Sequence, residues 1–140
     1  MRNTAREAAL NIVFAQQFND DCMDLLKSKV YKQFALTKKE DIDFANALIE
    51  KVEQNRAELI TEIENACHHY LENRINPADK SVLLIAMAEI KYFDEIPPIV
   101  SVNEATGLAK KYSTEKSADF VNGVLSGIIN KKDGDTNETH

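Results

Sequence analysis

A chain of 140 residues, 44% of them hydrophobic, is long enough for one domain with a real core and too apolar to be disordered throughout. Only 4 Gly and 3 Pro punctuate it, too few for the many tight turns of an all-β protein. The formal charge of −6 means that any cationic footprint must be local.

The first helix is announced by Thr4-Ala5-Arg6-Glu7, which fits a capping box. Ala5, Ala9 and Ile12 follow at helical spacing, with Leu10, Val13, Phe14 and Phe18 beside them, and Asn19-Asp20-Asp21 breaks the pattern. A second helix is predicted over Met23 to Ala35, with Met23, Leu26, Val30 and Phe34 on one face. Thr37-Lys38-Lys39-Glu40 reads as another capping box, opening a helix with Ile42, Ala45, Leu48 and Val52 inward and a bend near Asn55. A fourth helix is predicted from Ala57 to Leu71.

Asn76-Pro77-Ala78-Asp79 is a strong helix start: Asn caps, Pro fits the first turn, and Asp suits the positive end of the dipole. The following Ser81 to Ile90 is apolar nearly all round, so this helix should lie in the middle of the fold. Glu95-Ile96-Pro97-Pro98 ends it, because residues before Pro leave helical geometry. The next helix should start at Pro98 and run to about Tyr112; after the polar Ser113 to Lys116, Ser117 should cap a last helix over Ala118 to Asn130. Residues 1–130 thus form one all-α domain, and the polar 131–140 reads as a disordered tail.

The chemistry-bearing clusters are few. Cys67-His68-His69 cannot converge on one metal ion, because neighbours on a helix point about 100° apart; a buried Cys beside exposed His is the better reading. The carboxylates Asp41, Asp43, Glu89 and Glu95 come with no nucleophile elbow, phosphate loop or ligand set, so neither an enzyme nor a cofactor is implied. Gly123 and Gly127 form a GxxxG spacing, read as a close helix contact. Unpaired Cys22 and Cys67, with no targeting segment or apolar run long enough for a bilayer, point to a reduced cytoplasmic protein. Lys110, Lys111 and Lys116 bracket Tyr112, an arrangement suited to single-stranded RNA, with cations for phosphates and a ring for an unpaired base. Lys at a helix end also simply complements the dipole.

Several motifs occur together: Ala88-Glu89-Ile90, Ile96-Pro97, Val102-Asn103-Glu104-Ala105, Leu108-Ala109-Lys110-Lys111-Tyr112 and Phe120-Val121-Asn122-Gly123-Val124-Leu125. In this order and spacing, and with Ala5-Arg6-Glu7-Ala8-Ala9 near the start, the chain resembles the NusB family of bacterial transcription antitermination factors. The resemblance spans about residues 2–130 and is strongest from Asn76 to Asn130. It implies roughly seven helices in two packed subdomains, and a protein that binds rather than catalyses. Family members pair with NusE, the small-subunit ribosomal protein also called S ten. The pair binds boxA RNA and joins RNA polymerase in a complex that carries ribosomal RNA transcription past terminators.

Carried over by position, the resemblance implies RNA contact by Arg2, Arg6, Phe14, Lys110, Lys111, Tyr112, Ser113, Lys116, Phe120 and Asn122. Lys and Arg would meet phosphates and Tyr112 would stack, while the phase of Phe120 also suits the core. Asp79 and Lys80, in early turns expected to be exposed, are the expected NusE contacts; Asn103 and Glu104 would hold the fold. Many family members carry several Arg before the first helix, where only Arg2 and Arg6 stand here. That thin basic patch leaves open a protein-interaction module that lacks RNA binding, and a face built for NusE or RNA could pair with itself in isolation. Some ribosomal RNA cytosine methyltransferases begin with a similar domain, but a long catalytic domain with a Gly-rich loop follows it; these 140 residues contain no such segment.

Overall fold

The computed structural model describes residues 2–18, 22–67 and 75–138, with side chains described as far as Lys131. Among these residues there are seven helices and no strand: α1 (Arg2–Gln16), α2 (Met23–Gln33), α3 (Lys39–Gln54), α4 (Arg56–Ala66), α5 (Pro77–Tyr92), α6 (Pro98–Tyr112) and α7 (Glu115–Glu138). The all-α expectation and the element count hold.

Helix α5 is the axis of the molecule. Every residue from Ser81 to Glu89 is buried, as a helix without a polar face must be. It packs against α1, α3, α4, α6 and α7. Helices α1, α2 and α3 form one packed group and α5, α6 and α7 another, with α4 laid across α3, α5 and α7. Helix α1 turns Ala5, Ala8, Ala9, Ile12 and Val13 inward. Its alanines let it lie close to its neighbours, and Ile12 fills the space between them. Fully burying a side chain the size of Ile or Leu stabilises by about 1.5–3 kcal/mol. Leu48, Leu59, Ile63, Leu83, Leu84 and Leu125 do the same for the other helices.

Helix starts follow the sequence at α5 and depart from it elsewhere. Asn76 caps α5 as expected, its Oδ1 accepting the Asp79 N–H at 2.8 Å. Thr4 lies inside α1, which begins at Arg2, so the first capping box is not formed. Lys38, not Thr37, precedes α3, and it makes no side-chain cap. Helix α7 starts before Ser117: Thr114 Oγ1 accepts the Ser117 N–H at 2.9 Å and is the cap. At α7 a hydroxyl one turn earlier took the role expected of Ser117.

Helix α2 ends at Gln33 because Ala35 takes the left-handed conformation, with φ of 52°. Leu36 N–H then donates to Tyr31 O at 2.8 Å and Ala35 N–H to Lys32 O at 3.1 Å, closing the helix in a Schellman motif. Beyond Asn130 the backbone of α7 continues to Glu138, where a disordered tail was expected. Polar residues do not themselves end a helix; Pro or a C-cap does, and neither stands at Asn130. The predicted end of α4 near Leu71, His68 and His69 lie outside the described residues.

Candidate nucleic-acid interface

Helix α1 has two working faces. Glu7, Asn11 and Phe14 recur at spacings of four and three, which puts them on one side of the helix, and Phe18 follows in the turn past its end. Arg2, Arg6 and Gln16 fall on the opposite side, against α3: the guanidinium of Arg2 lies 4.9 Å from the centre of the Phe44 ring, and Gln16 Nε2 donates to Glu53 Oε1 at 2.8 Å.

The first face meets the end of α6. Glu7 Oε1 accepts the Tyr112 hydroxyl at 2.5 Å and lies 2.5 Å from Lys111 Nζ. Asn11 Nδ2 donates to Tyr112 Oη at 3.3 Å and to the carbonyl of Glu7 at 2.8 Å. Burial pushes the Glu7 carboxyl up, but the hydrogen bonds from Lys111 and Tyr112 and the Lys111 charge outweigh it and leave it below the usual range. The same hydrogen bond and charge raise Lys111, while burial first and Glu7 second raise Tyr112. Tyr112 keeps 38% of its surface exposed, so its ring is held at the hydroxyl and open beyond it.

Further along, Phe14 of α1 and Phe18, just past its end, stand exposed and edge to face, with centroids 5.2 Å apart. Beyond Tyr112, Ser113 Oγ and Ser117 Oγ are 2.8 Å apart, and Ser117 donates to Asp79 Oδ2 at 3.1 Å. This bond pins the loop between α6 and α7 to the start of α5. Lys116 stands exposed on that loop edge, and Lys110 pairs across the loop with Glu115 at 3.6 Å, both largely in solvent.

The structure therefore brings Phe14, Lys110, Lys111, Tyr112, Ser113 and Lys116 to one edge. Phe120 is half-buried against the core, and Asn122, exposed, donates to Thr106 Oγ1 at 3.4 Å. Arg2 is exposed on the other side of α1. Two expectations need correction. Arg6 is not available to a phosphate: it is 4% exposed, with Nε and Nη2 donating to the Glu89 carboxylate at 2.9 Å and 2.6 Å and Nη1 to Asn3 Oδ1 at 3.2 Å. Asp79 is not an exposed partner contact: it is buried, with Oδ2 accepting from Asn76 and Ser117. Lys80 is half-buried. Burial raises the Asp79 carboxyl, an effect that Ser117, Ser113 and Asn76 only partly offset.

Glu7, Asn11 and Phe18 were missed as part of this edge. Their spacing with Phe14 was a usable signal, but Glu7 had been read as a cap. The GxxxG spacing is described at one of its two glycines. A Cβ at Gly127 would meet nothing within 4 Å among the described residues, so Gly127 itself makes no close helix contact there. Cys67 is buried, with its thiol pushed up to about 11 by burial and by Glu64. Among the described residues no group of His, Cys, Asp and Glu could hold a metal ion, and no helix is long and apolar enough to cross a membrane.

The profile of the NusB family matches residues 3–130, through all seven helices. The chain belongs to the NusB family. A transcription antitermination protein NusB of Natranaerobius thermophilus is 35% identical over 135 residues, covering 93% of this chain and 95% of that one. The structure of T. maritima NusB superposes with a TM-score of 0.80 at 27% identity, over 90% of this chain and 88% of that one. A crystal structure of the antitermination factors NusB and NusE in complex with dsRNA matches with a TM-score of 0.76 at 25% identity, covering 91% and 94% of the two chains. The NusB match ends at residue 130, inside α7.

Proposed function

We propose that this chain is an RNA-binding transcription antitermination factor that pairs with NusE, binds boxA-type RNA and promotes transcription of ribosomal RNA operons. It acts by binding, without catalysis, in the cytoplasm and within the RNA polymerase antitermination complex. The observation that carries this reading is the single edge of a NusB-family fold on which Phe14, Lys111, Tyr112, Ser113 and Lys116 stand together. Cations there meet phosphates, and the exposed rings of Phe14 and Tyr112 take unpaired bases. A complex of NusB with NusE and RNA among its structural relatives supports the pairing. On this chain Lys80 is the NusE contact retained from the sequence.

The footprint is thin, so binding by the chain alone should be weak and NusE should tighten it. With about four phosphates contacted, log affinity should fall against log salt with a slope near −3. A gel shift with boxA-like RNA, with and without NusE, at two salt concentrations measures both. Replacing Lys110, Lys111 and Lys116 by Ala should weaken RNA binding at least tenfold while NusE pairing survives. Tight, salt-insensitive binding without NusE would overturn this reading.

One observation favours a second reading. Lys110 and Lys111 are already paired with Glu115 and Glu7. A protein-interaction module of the same fold without RNA binding would shift boxA-like RNA neither as the parent chain nor as the triple variant. Sedimentation of the isolated chain reports self-pairing.

A further inference from the structure

One carboxylate stands inside the basic edge. A single oxygen, Glu7 Oε1, engages both Lys111 and Tyr112 at 2.5 Å. The two ends of the ion pair differ in access. The Lys111 side chain is 63% exposed and that of Glu7 only 16%. The cation is thus on the outside with the carboxylate behind it, so a phosphate can reach Lys111 without disturbing helix packing. Lys111 Nζ also lies 5.8 Å from the centre of the Tyr112 ring, so cation and ring belong to one site of nucleotide size.

A lysine ammonium is a compact point charge that takes a carboxylate or a phosphate oxygen alike. Any phosphate arriving at this site must therefore compete with Glu7. The hydroxyl of Tyr112 is in a different position. It needs only an acceptor, which a neutral amide supplies as well as a carboxylate does.

We infer that Glu7 is an intramolecular stand-in for an RNA phosphate, holding Lys111 and Tyr112 in register in the free protein and yielding Lys111 when RNA binds. This inference rests on the RNA-binding reading above. The Lys111 end of the pair lies in solvent, where ion pairs are weak, so the exchange is readily reversible. Its effect is to keep Lys111 from stray polyanions. With Lys110 paired to Glu115, Lys116 is the one lysine of the loop edge without an ion pair among the described residues.

Substituting Glu7→Gln separates the two roles, keeping an acceptor for Tyr112 and removing the charge on Lys111. The probe is a short fluorescein-labelled single-stranded RNA, titrated by anisotropy with the full chain over a series of KCl concentrations. Glu7→Gln should bind severalfold more tightly at low salt, with an unchanged log–log slope, because Lys111 meets the same phosphate in both complexes and only the competition from Glu7 is removed. The gain should shrink when Lys111 is already Gln. An equal gain in both backgrounds would reduce Glu7 to a general charge effect and overturn the inference, as would weaker binding by Glu7→Gln.

A readout on the unaltered protein stands beside the variants. The Glu7 carboxyl, followed by carbon NMR, should titrate at higher pH in the RNA complex than in the free chain, because Lys111 has turned away. An unchanged titration overturns the inference. If Lys111→Gln and Tyr112→Ala bind the RNA as well as the parent chain does, the RNA reading of this edge falls and the inference falls with it.

Discussion

Gly107 and Gly127 lie within α6 and α7, and nothing stands within 4 Å of where a Cβ would project from either. Neither has a positive φ. Gly in an open helical position costs about 0.8–1 kcal/mol relative to Ala. Gly107→Ala and Gly127→Ala should therefore each stabilise the fold by about that amount in urea denaturation. Asp79 poses the opposite problem, a buried carboxylate whose Oδ1 has no partner among the described residues. Its folded-state pKa is raised, chiefly by burial, so the native state takes up the proton before the unfolded chain does. Its charge thus costs stability at neutral pH, and that cost is relieved as pH falls through the folded-state value. Asp79→Asn keeps an acceptor for Ser117 and Asn76 and removes the charge. In unfolding titrations the variant should compare best with the parent at about pH 7 and lose ground as pH drops toward 4. The Asn76 cap was legible because cap and N–H lie three residues apart. The burial of Asp79 was not, since it depends on Ser117 from another helix.

At the scale of elements, α1 is fastened to α5 by charge. Arg6 and Glu89, both buried, make a two-pronged pair, with Glu104 of α6 at 4.0 Å from Arg6 Nη1. Such a pair adds little over well-packed apolar residues, but removing one partner strands the other. Arg6→Ala should cost about 3–5 kcal/mol in chemical denaturation. Arg6→Lys should recover only part of that, since an ammonium cannot reproduce the two-pronged contact. The helices themselves were readable because their apolar periods are local. Which face of α1 carries function was not, because a residue's neighbours across 83 or 105 positions leave no trace in its own periodicity. Arg6 looked like a free cation and Glu7 like a cap for that reason. Helix starts failed where a hydroxyl one turn away was an equally good cap, as at Thr114 and Ser117.

Over the whole molecule, charge is divided unevenly. Helices α3 and α4 carry eight carboxylates against three cations, nearly all of the net charge of −6. Helix α3 packs on α1, α4 and α5, on the Arg2 side of α1, and the Glu7 face of α1 is turned toward α6. The basic edge at the end of α6 was legible as a run of lysines around Tyr112. Its position opposite an acidic flank emerges only when the helices are assembled. For a polyanion the consequence is kinetic. The field of α3 and α4 turns away encounters made from that side, and the end of α6 admits those made from the other. A polyanion approaching such a charge distribution would be oriented before it touches the protein. That long-range selection weakens as added salt shortens the Debye length to about 10 Å at 0.1 M, leaving the rate of productive encounter, rather than the lifetime of the complex, as the quantity most exposed to ionic strength.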